Sequence, residues 1–179
     1  MEEQAATLNP YASLLNDPDP ARSLAAMQIL MESGDEALVN IALEFGLLSA
    51  DTNVQKLALD SYLATEPVLS IVLDGSSVNV SDFSEALTGG RAGGHLSGAV
   101  DANGIGTFEV RVGEYDSSQN CFLLGGLDTC LLITTPSNVN FTHPLIRGSL
   151  SITPEGTLAG DVRIGDFGEN IPMVINILD

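Results

Sequence analysis

The chain has 179 residues, of which 44% are hydrophobic, and 24 Asp and Glu against 6 Lys and Arg give a net charge of −18. That apolar content suffices for one domain with a core or two small ones, and excludes global disorder. Lys56 is the sole lysine and no basic stripe exists, so nucleic acid and anionic membrane surfaces would be repelled. No apolar run approaches the roughly 18 residues that suggest a membrane-spanning helix. Residues 1–74 carry 12 acids and residues 75–179 another 12, an even spread that favours a solvated surface over one concentrated cation site. Met1-Glu2-Glu3-Gln4 is acidic where a signal peptide would be basic and then apolar. Either the protein is cytoplasmic, or a leader has been removed and Met1 is not native.

Asn9-Pro10 starts a short helix that ends near Asn16. Asp17-Pro18-Asp19-Pro20 breaks the chain and starts the next, whose buried side carries Leu24, Met27, Leu30 and Met31 at three- and four-residue spacing. Ser33-Gly34-Asp35 ends that helix and caps another, with Leu38, Ile41, Ala42 and Phe45 inward and Gly46 beginning its end. Asp51 starts a third, with Val54, Leu57, Ala58 and Leu63 inward. Thr65-Glu66-Pro67 can start a fourth that ends at Gly75, although Val68, Ile71 and Val72 also suit a strand.

An internal repeat runs at an offset of 33: Ala21 to Leu30 matches Val54 to Leu63, with small or apolar residues coinciding. Asp17, Pro20 and Arg22, and then Asp51 and Val54, resemble the opening of the first helix in HEAT-type repeats, with Gln55 where an arginine is typical. The resemblance spans residues 15–73 and implies protein–protein scaffolding. About three such units are usually needed to bury their apolar sides, so two should rest on another domain, a second copy or a partner.

Residues 75–94 form a Gly/Ser-rich linker. In it, Asp82 and Glu85 resemble a capping box that can open a pair of helical turns over Asp82 to Leu87, and Thr88 to Gly94 is too glycine-rich for regular structure. That glycine stretch lacks the Lys-Ser/Thr ending of a phosphate loop. From His95 to the end the chain alternates apolar and polar residues between turns, the period of strands. Two hairpins match. Gly98-Ala99-Val100 corresponds to Gly148-Ser149-Leu150, and Asn103-Gly104, after a two-residue shift, to Glu155-Gly156. Glu109 to Tyr115 lies on Asp161 to Phe167. Acid and arginine two apart (Glu109 with Arg111, Asp161 with Arg163) share one side of each strand and fit ordinary cross-strand ion pairs. Gly113-Glu114-Tyr115 and Gly165-Asp166-Phe167 mark equivalent bends. The closing run Gly165-Asp166-Phe167-Gly168-Glu169-Asn170-Ile171-Pro172-Met173-Val174-Ile175 resembles the last strands of the YceI-like lipid-binding barrels, which implies an apolar ligand.

Catalytic and metal-binding constellations are not expected. His95 and His143 have no partner at metal-ligand spacing, Asp101-Ala102-Asn103-Gly104 reads as a hairpin turn rather than a calcium loop, and no nucleophile elbow occurs. Asn79-Val80-Ser81 and Asn140-Phe141-Thr142 match the glycosylation pattern, which chance often produces. With Gly125-Gly126 as a two-residue turn, Cys121 and Cys130 face each other as a non-hydrogen-bonded pair with Cα atoms about 4.5 Å apart, within disulfide reach. A disulfide there would favour a periplasmic or secreted protein; otherwise a cytoplasmic one is expected.

The expectation is therefore an α+β chain: a HEAT-like helical segment over 1–74, a linker over 75–94, and a mostly antiparallel β barrel or sandwich over 95–179. Its function is a non-enzymatic protein–protein interaction or scaffold module. The alternative is a small β-barrel binding an apolar or lipid ligand. No cofactor is called for; a protein partner is expected, and homo-oligomers are compatible.

Overall fold

The computed structural model describes residues 11–88 and 97–178. The chain divides into two compact units, residues 1–62 and 63–179. That division lies upstream of the boundary at residue 74 expected from the sequence.

In the first unit residues 11–15 are helical, and three helices of 12 residues follow: α1 (Pro20–Met31), α2 (Glu36–Leu47) and α3 (Thr52–Leu63). Each begins after an aspartate whose Oδ1 takes up an orphan backbone N–H. Asp19 accepts from Ala21, Asp35 from Ala37 and Asp51 from Asn53, at 3.0, 3.0 and 2.8 Å. Pro20 stands at the first helical position, where its missing N–H costs nothing. The buried side carries Met27 and Leu30 of α1, Ala42, Leu43 and Leu47 of α2, and Ala58 and Leu59 of α3. Gly46, expected to end α2, instead lies inside it as a contact residue. An added Cβ would stand 2.3 Å from the Ala58 Cβ and 2.8 Å from the Met27 Sδ, so the three helices meet where no side chain fits.

Of the two readings open for the segment before Gly75, helix or strand, the strand forms. It is strand β1 (Val68–Asp74), so no helix follows α3 to complete the second unit that the HEAT-type resemblance implied. The segment VLSIVL satisfies both periods. What decides is that β1 finds antiparallel partners along both edges, β3 and β9. Within 75–94 the helical turns expected over 82–87 form, as the longer helix α4 (Val80–Thr88). Its cap is Asn79, whose Oδ1 accepts from Ser81 and Asp82, rather than the Asp82–Glu85 box. The expected glycine loop falls on residues outside those described.

Eight more strands follow: β2 (Ser97–Val100), β3 (Ile105–Asp116), β4 (Cys121–Leu124), β5 (Cys130–Thr135), β6 (Asn138–Thr142), β7 (Ile146–Ile152), β8 (Leu158–Ile164) and β9 (Asn170–Ile175). From β3 to β9 each pairs antiparallel with the next, and β1 joins β9 to β3. The result is a closed eight-strand antiparallel barrel. β2 is the ninth strand and lies outside the ring, covering residues 106–109 of β3 on the edge opposite β1. Inward positions alternate as pleating requires: Leu69, Ile71 and Leu73; Phe108, Val110 and Val112; Val139 and Phe141; Leu158, Val162 and Ile164; Ile171, Met173 and Ile175. Ser70, Glu109, Arg111, Ser149, Asp161 and Arg163 point outward and are exposed. A polar outside over an apolar inside is the reverse of a lipid-embedded barrel. Among the described residues no helix is long and apolar enough to cross a membrane.

Both duplicated hairpins are present, β2–β3 and β7–β8, and their turns are alike. Asp101 N donates to Ile105 O and Gly104 N to Asp101 O; Thr153 N donates to Thr157 O and Gly156 N to Thr153 O. Gly104 and Gly156 take φ of +85° and +80°, the left-handed region that a side chain would disfavour. The register pairs Gly98 with Phe108 and Leu150 with Gly160. The copies therefore align at one constant offset, without the two-residue shift, and a large residue answers a small one across each hairpin. The expected equivalent bends differ. Gly113 sits in a register shift within β3, whereas Gly165 ends β8.

Cys121 and Cys130 are bridged, with Cα atoms 5.7 Å apart. The expected direct pairing across Gly125-Gly126 is not what brings them together. Leu123 pairs with Cys130 and Phe122 with Leu132, with a shift between. Of the two glycines only Gly126 takes positive φ, +81°, with Leu127 N donating to Leu124 O. The turns matched to strand twist, types I′ and II′, both need positive φ at the first central position, Gly125; positive φ at the second alone is a type II turn, the strands are out of direct register and the bridge runs diagonally.

Two outcomes follow from this packing. Gly46→Ala should lower unfolding stability by about 1–3 kcal/mol through overpacking at the three-helix contact, read by denaturant melts. Protein purified under oxidising conditions should be lighter by two hydrogens than after reduction, by intact mass. Two free thiols there would exclude the Cys121–Cys130 bridge.

Candidate functional site

A groove of about 670 Å3 lies at the barrel end where β1, β6 and β8 finish. One wall is α4, through Asp82, Glu85 and Ala86; the other is the β6–β7 and β8–β9 connections, through Leu145, Ile164, Gly165, Asp166 and Phe167. The local sequence fixes both walls. Phe83, on the inner side of α4, is fully buried. Its ring lies 6.3 Å from that of Phe167 and against Gly75, where a Cβ would come within 2.4 Å of the ring. The opposite wall is held by Gly165 N donating to Leu145 O at 2.7 Å and Phe167 N to Ile164 O at 2.8 Å. The groove thus has an apolar floor rimmed by three exposed carboxylates, Asp82, Glu85 and Asp166.

Just below the groove on the outer surface, Arg147 and Arg163 stand directly opposite each other on β7 and β8, in a row with Thr142 of β6 and Asn170 of β9. Arg163 Nε donates to Asn170 Oδ1 at 3.3 Å. Among the described residues the ion pairs within 4 Å are Arg22–Asp19 and Lys56–Asp60, so neither arginine has a carboxylate at that distance. The ion pairs expected along these strands therefore do not form: Asp161 faces Ser149 and Pro172, Glu109 faces Ser97 and Ser70, and Arg111 faces Val68.

A second groove of about 300 Å3 flanks Arg111, with Glu66, Glu114, Asp128 and Gly113 on its lining. Glu66 holds φ +56° immediately before Pro67, a conformation that non-glycine residues seldom adopt.

His143 is buried with its Nδ1 accepting from Leu145 N at 3.2 Å and its ring stacked on Phe141. It supports the β6–β7 connection behind the groove rather than lining it. His95 lies outside the described residues. Asp101 spends Oδ1 on the N–H groups of Asn103 and Ile105, at 2.8 and 2.9 Å, which makes its segment the hairpin turn expected. Of the two Asn-x-Ser/Thr positions, Asn79 caps α4 and Asn140 lies within β6. The groove was missed from sequence because its walls come from residues 82–86 and 145–167. The one local signal was the amphipathic stretch Val80–Leu87.

Fold and surfaces together define an α+β protein with a short helical segment followed by a closed eight-strand antiparallel barrel. No family model, curated protein or solved structure matches this chain, so the comparisons support neither the HEAT-type nor the YceI-like resemblance.

Asp116 heads the β3–β4 turn. Its carboxyl is held down at about 2, first by the Ser118 hydroxyl, then by the Gln119 side chain and the Ser118 N–H. Asp101 and Asp74 are also lowered, chiefly by the Ile105 N–H and the Ser76 hydroxyl respectively. A carboxyl lowered on folding favours the folded state above its unfolded value, about 3.9, and that contribution is lost as pH falls toward the folded value. The Asp116 carboxyl resonance should titrate near 2, and Ser118→Ala should move the midpoint up toward the ordinary carboxylate range. An unchanged midpoint would remove the hydroxyl as the main cause.

Proposed function

We propose that the protein is a non-enzymatic interaction module that docks a partner protein at the barrel-end groove. The partner segment places an apolar side chain on Leu145 and Phe167 and a cation against Asp82, Glu85 and Asp166. The observation that carries this reading is the apolar floor inside a carboxylate rim. Low-dielectric walls strengthen the attraction of the rim for a cation that brings an apolar stem with it. A ligand inside the barrel is the weaker reading. Phe108, Phe141, Leu150, Val162, Met173 and Ile175 are at most 2% exposed, and eight strands enclose an interior that side chains of this size fill. The Cys121–Cys130 bridge favours an oxidising compartment, periplasmic or extracellular.

The test uses a short peptide of alternating arginine and leucine, followed by calorimetry. It should bind with one-to-one stoichiometry, and Asp82→Asn with Glu85→Asn should weaken it about tenfold, the size of a lost pair of charge-assisted contacts. Binding that is absent or indifferent to those changes removes the groove from the account. Stoichiometric, saturable uptake of a long-chain fatty acid would favour the lumenal reading instead.

A further inference from the structure

The groove and the arginine pair belong to one surface. Leu145 and Gly165 line the groove, and Arg147 and Arg163 lie two residues further along the same two strands, about 7 Å away. A purely basic partner would meet these arginines beside the carboxylates it seeks. The pair is itself unfavourable: like charges directly opposite on neighbouring strands repel, and the chain has only 6 basic residues to place among 24 acids. A partner that answers the whole patch must carry cations for Asp82, Glu85 and Asp166 and carboxylates for Arg147 and Arg163, side by side.

We propose that this partner is a second copy of the chain, docked about a two-fold axis so that the arginine pair of each copy meets the carboxylate rim of the other. The inference rests on the groove being a docking site. A two-fold interface brings a patch against itself, so a patch holding adjacent groups of opposite sign is self-complementary. Guanidinium forks suit the task, because each can take a carboxylate bidentately and lay its flat apolar surface on the groove floor. Two copies at −18 each also repel over long range. Association is therefore weakest at very low salt and rises as that repulsion is screened, while the contact pairs are screened less.

Sedimentation equilibrium of the full chain, from micromolar to millimolar in about 0.15 M salt, where the Debye length is about 8 Å, reads the assembly directly. The expected result is a monomer–dimer equilibrium that is weakened about tenfold or more by Arg147→Glu with Arg163→Glu, and likewise by Asp82→Lys with Glu85→Lys. Mixing the two variants should restore a heterodimer, since each supplies what the other lacks. Arg147→Gln with Arg163→Gln, which removes charge without reversing it, gives the same reading if a reversed variant fails to fold. A wild-type monomer at every concentration, a dimer unaffected by either pair of changes, or folded variants that stay monomeric on mixing would each overturn the proposal. Binding of the arginine–leucine peptide by a chain that stays monomeric would leave the groove as a docking site and remove only the second copy as its occupant.

Discussion

The barrel depends on the pairing of β1 with both β3 and β9. Seven residues of β1, Val68 to Asp74, lie against Arg111 to Ile105, and Ile71 to Leu73 lie against Ile175 to Met173. Without that strand, β3 and β9 would expose two rows of backbone donors and acceptors, and the apolar side chains they carry would face an open sheet. Closure also explains why Leu69, Ile71 and Leu73 are among the most buried side chains. They form the seam at which the first strand of the unit meets the last.

The same closure builds the groove. The chain leaves the ring after β1 and re-enters it at β3, and in between it forms α4 and β2. β4 has only 4 residues against the 12 of β3, so β2 supplies partners for the part of β3 that β4 does not reach. α4 is held at the barrel end by Phe83, and its outer side becomes the groove wall. The excursion thus completes hydrogen bonding on one side and builds a concavity on the other.

Features settled within a few residues were legible in the sequence. The caps at Asp19, Asp35 and Asp51 need only a carboxylate and the N–H two residues on, and the duplicated hairpins announce themselves by glycine at the turn. Features settled by long-range pairing were not. VLSIVL fits a helix or a strand until its partners some 35 and 100 residues away are known. Gly46 looks like a helix end until Met27 and Ala58 are placed against it. At Gly125-Gly126 the turn itself was foreseen, but positive φ falls on the second glycine rather than the first and the register behind the turn is shifted, so the cysteines bridge diagonally. The groove belongs to the same class, since its carboxylates come from α4 and from the end of β8.

Acidity and barrel packing bear on function jointly. An eight-strand barrel filled by Phe108, Phe141 and their neighbours offers ligands its ends and its outside rather than a lumen. On that outside a carboxylate is unremarkable, because the chain has 24 of them, and most serve only to hydrate the surface. The informative charges are the rare ones. Arg22 and Lys56 are each matched by an acid three or four residues away on their own helix. Arg147 and Arg163 are set against each other instead, on the strands that also form one wall of the groove. A surface with this excess of acid could neutralise both from almost any neighbouring position. Left opposed, the two guanidiniums stay available to a carboxylate brought from outside, and on the docking reading proposed above that makes this side of the barrel, rather than its acidic remainder, the recognition surface.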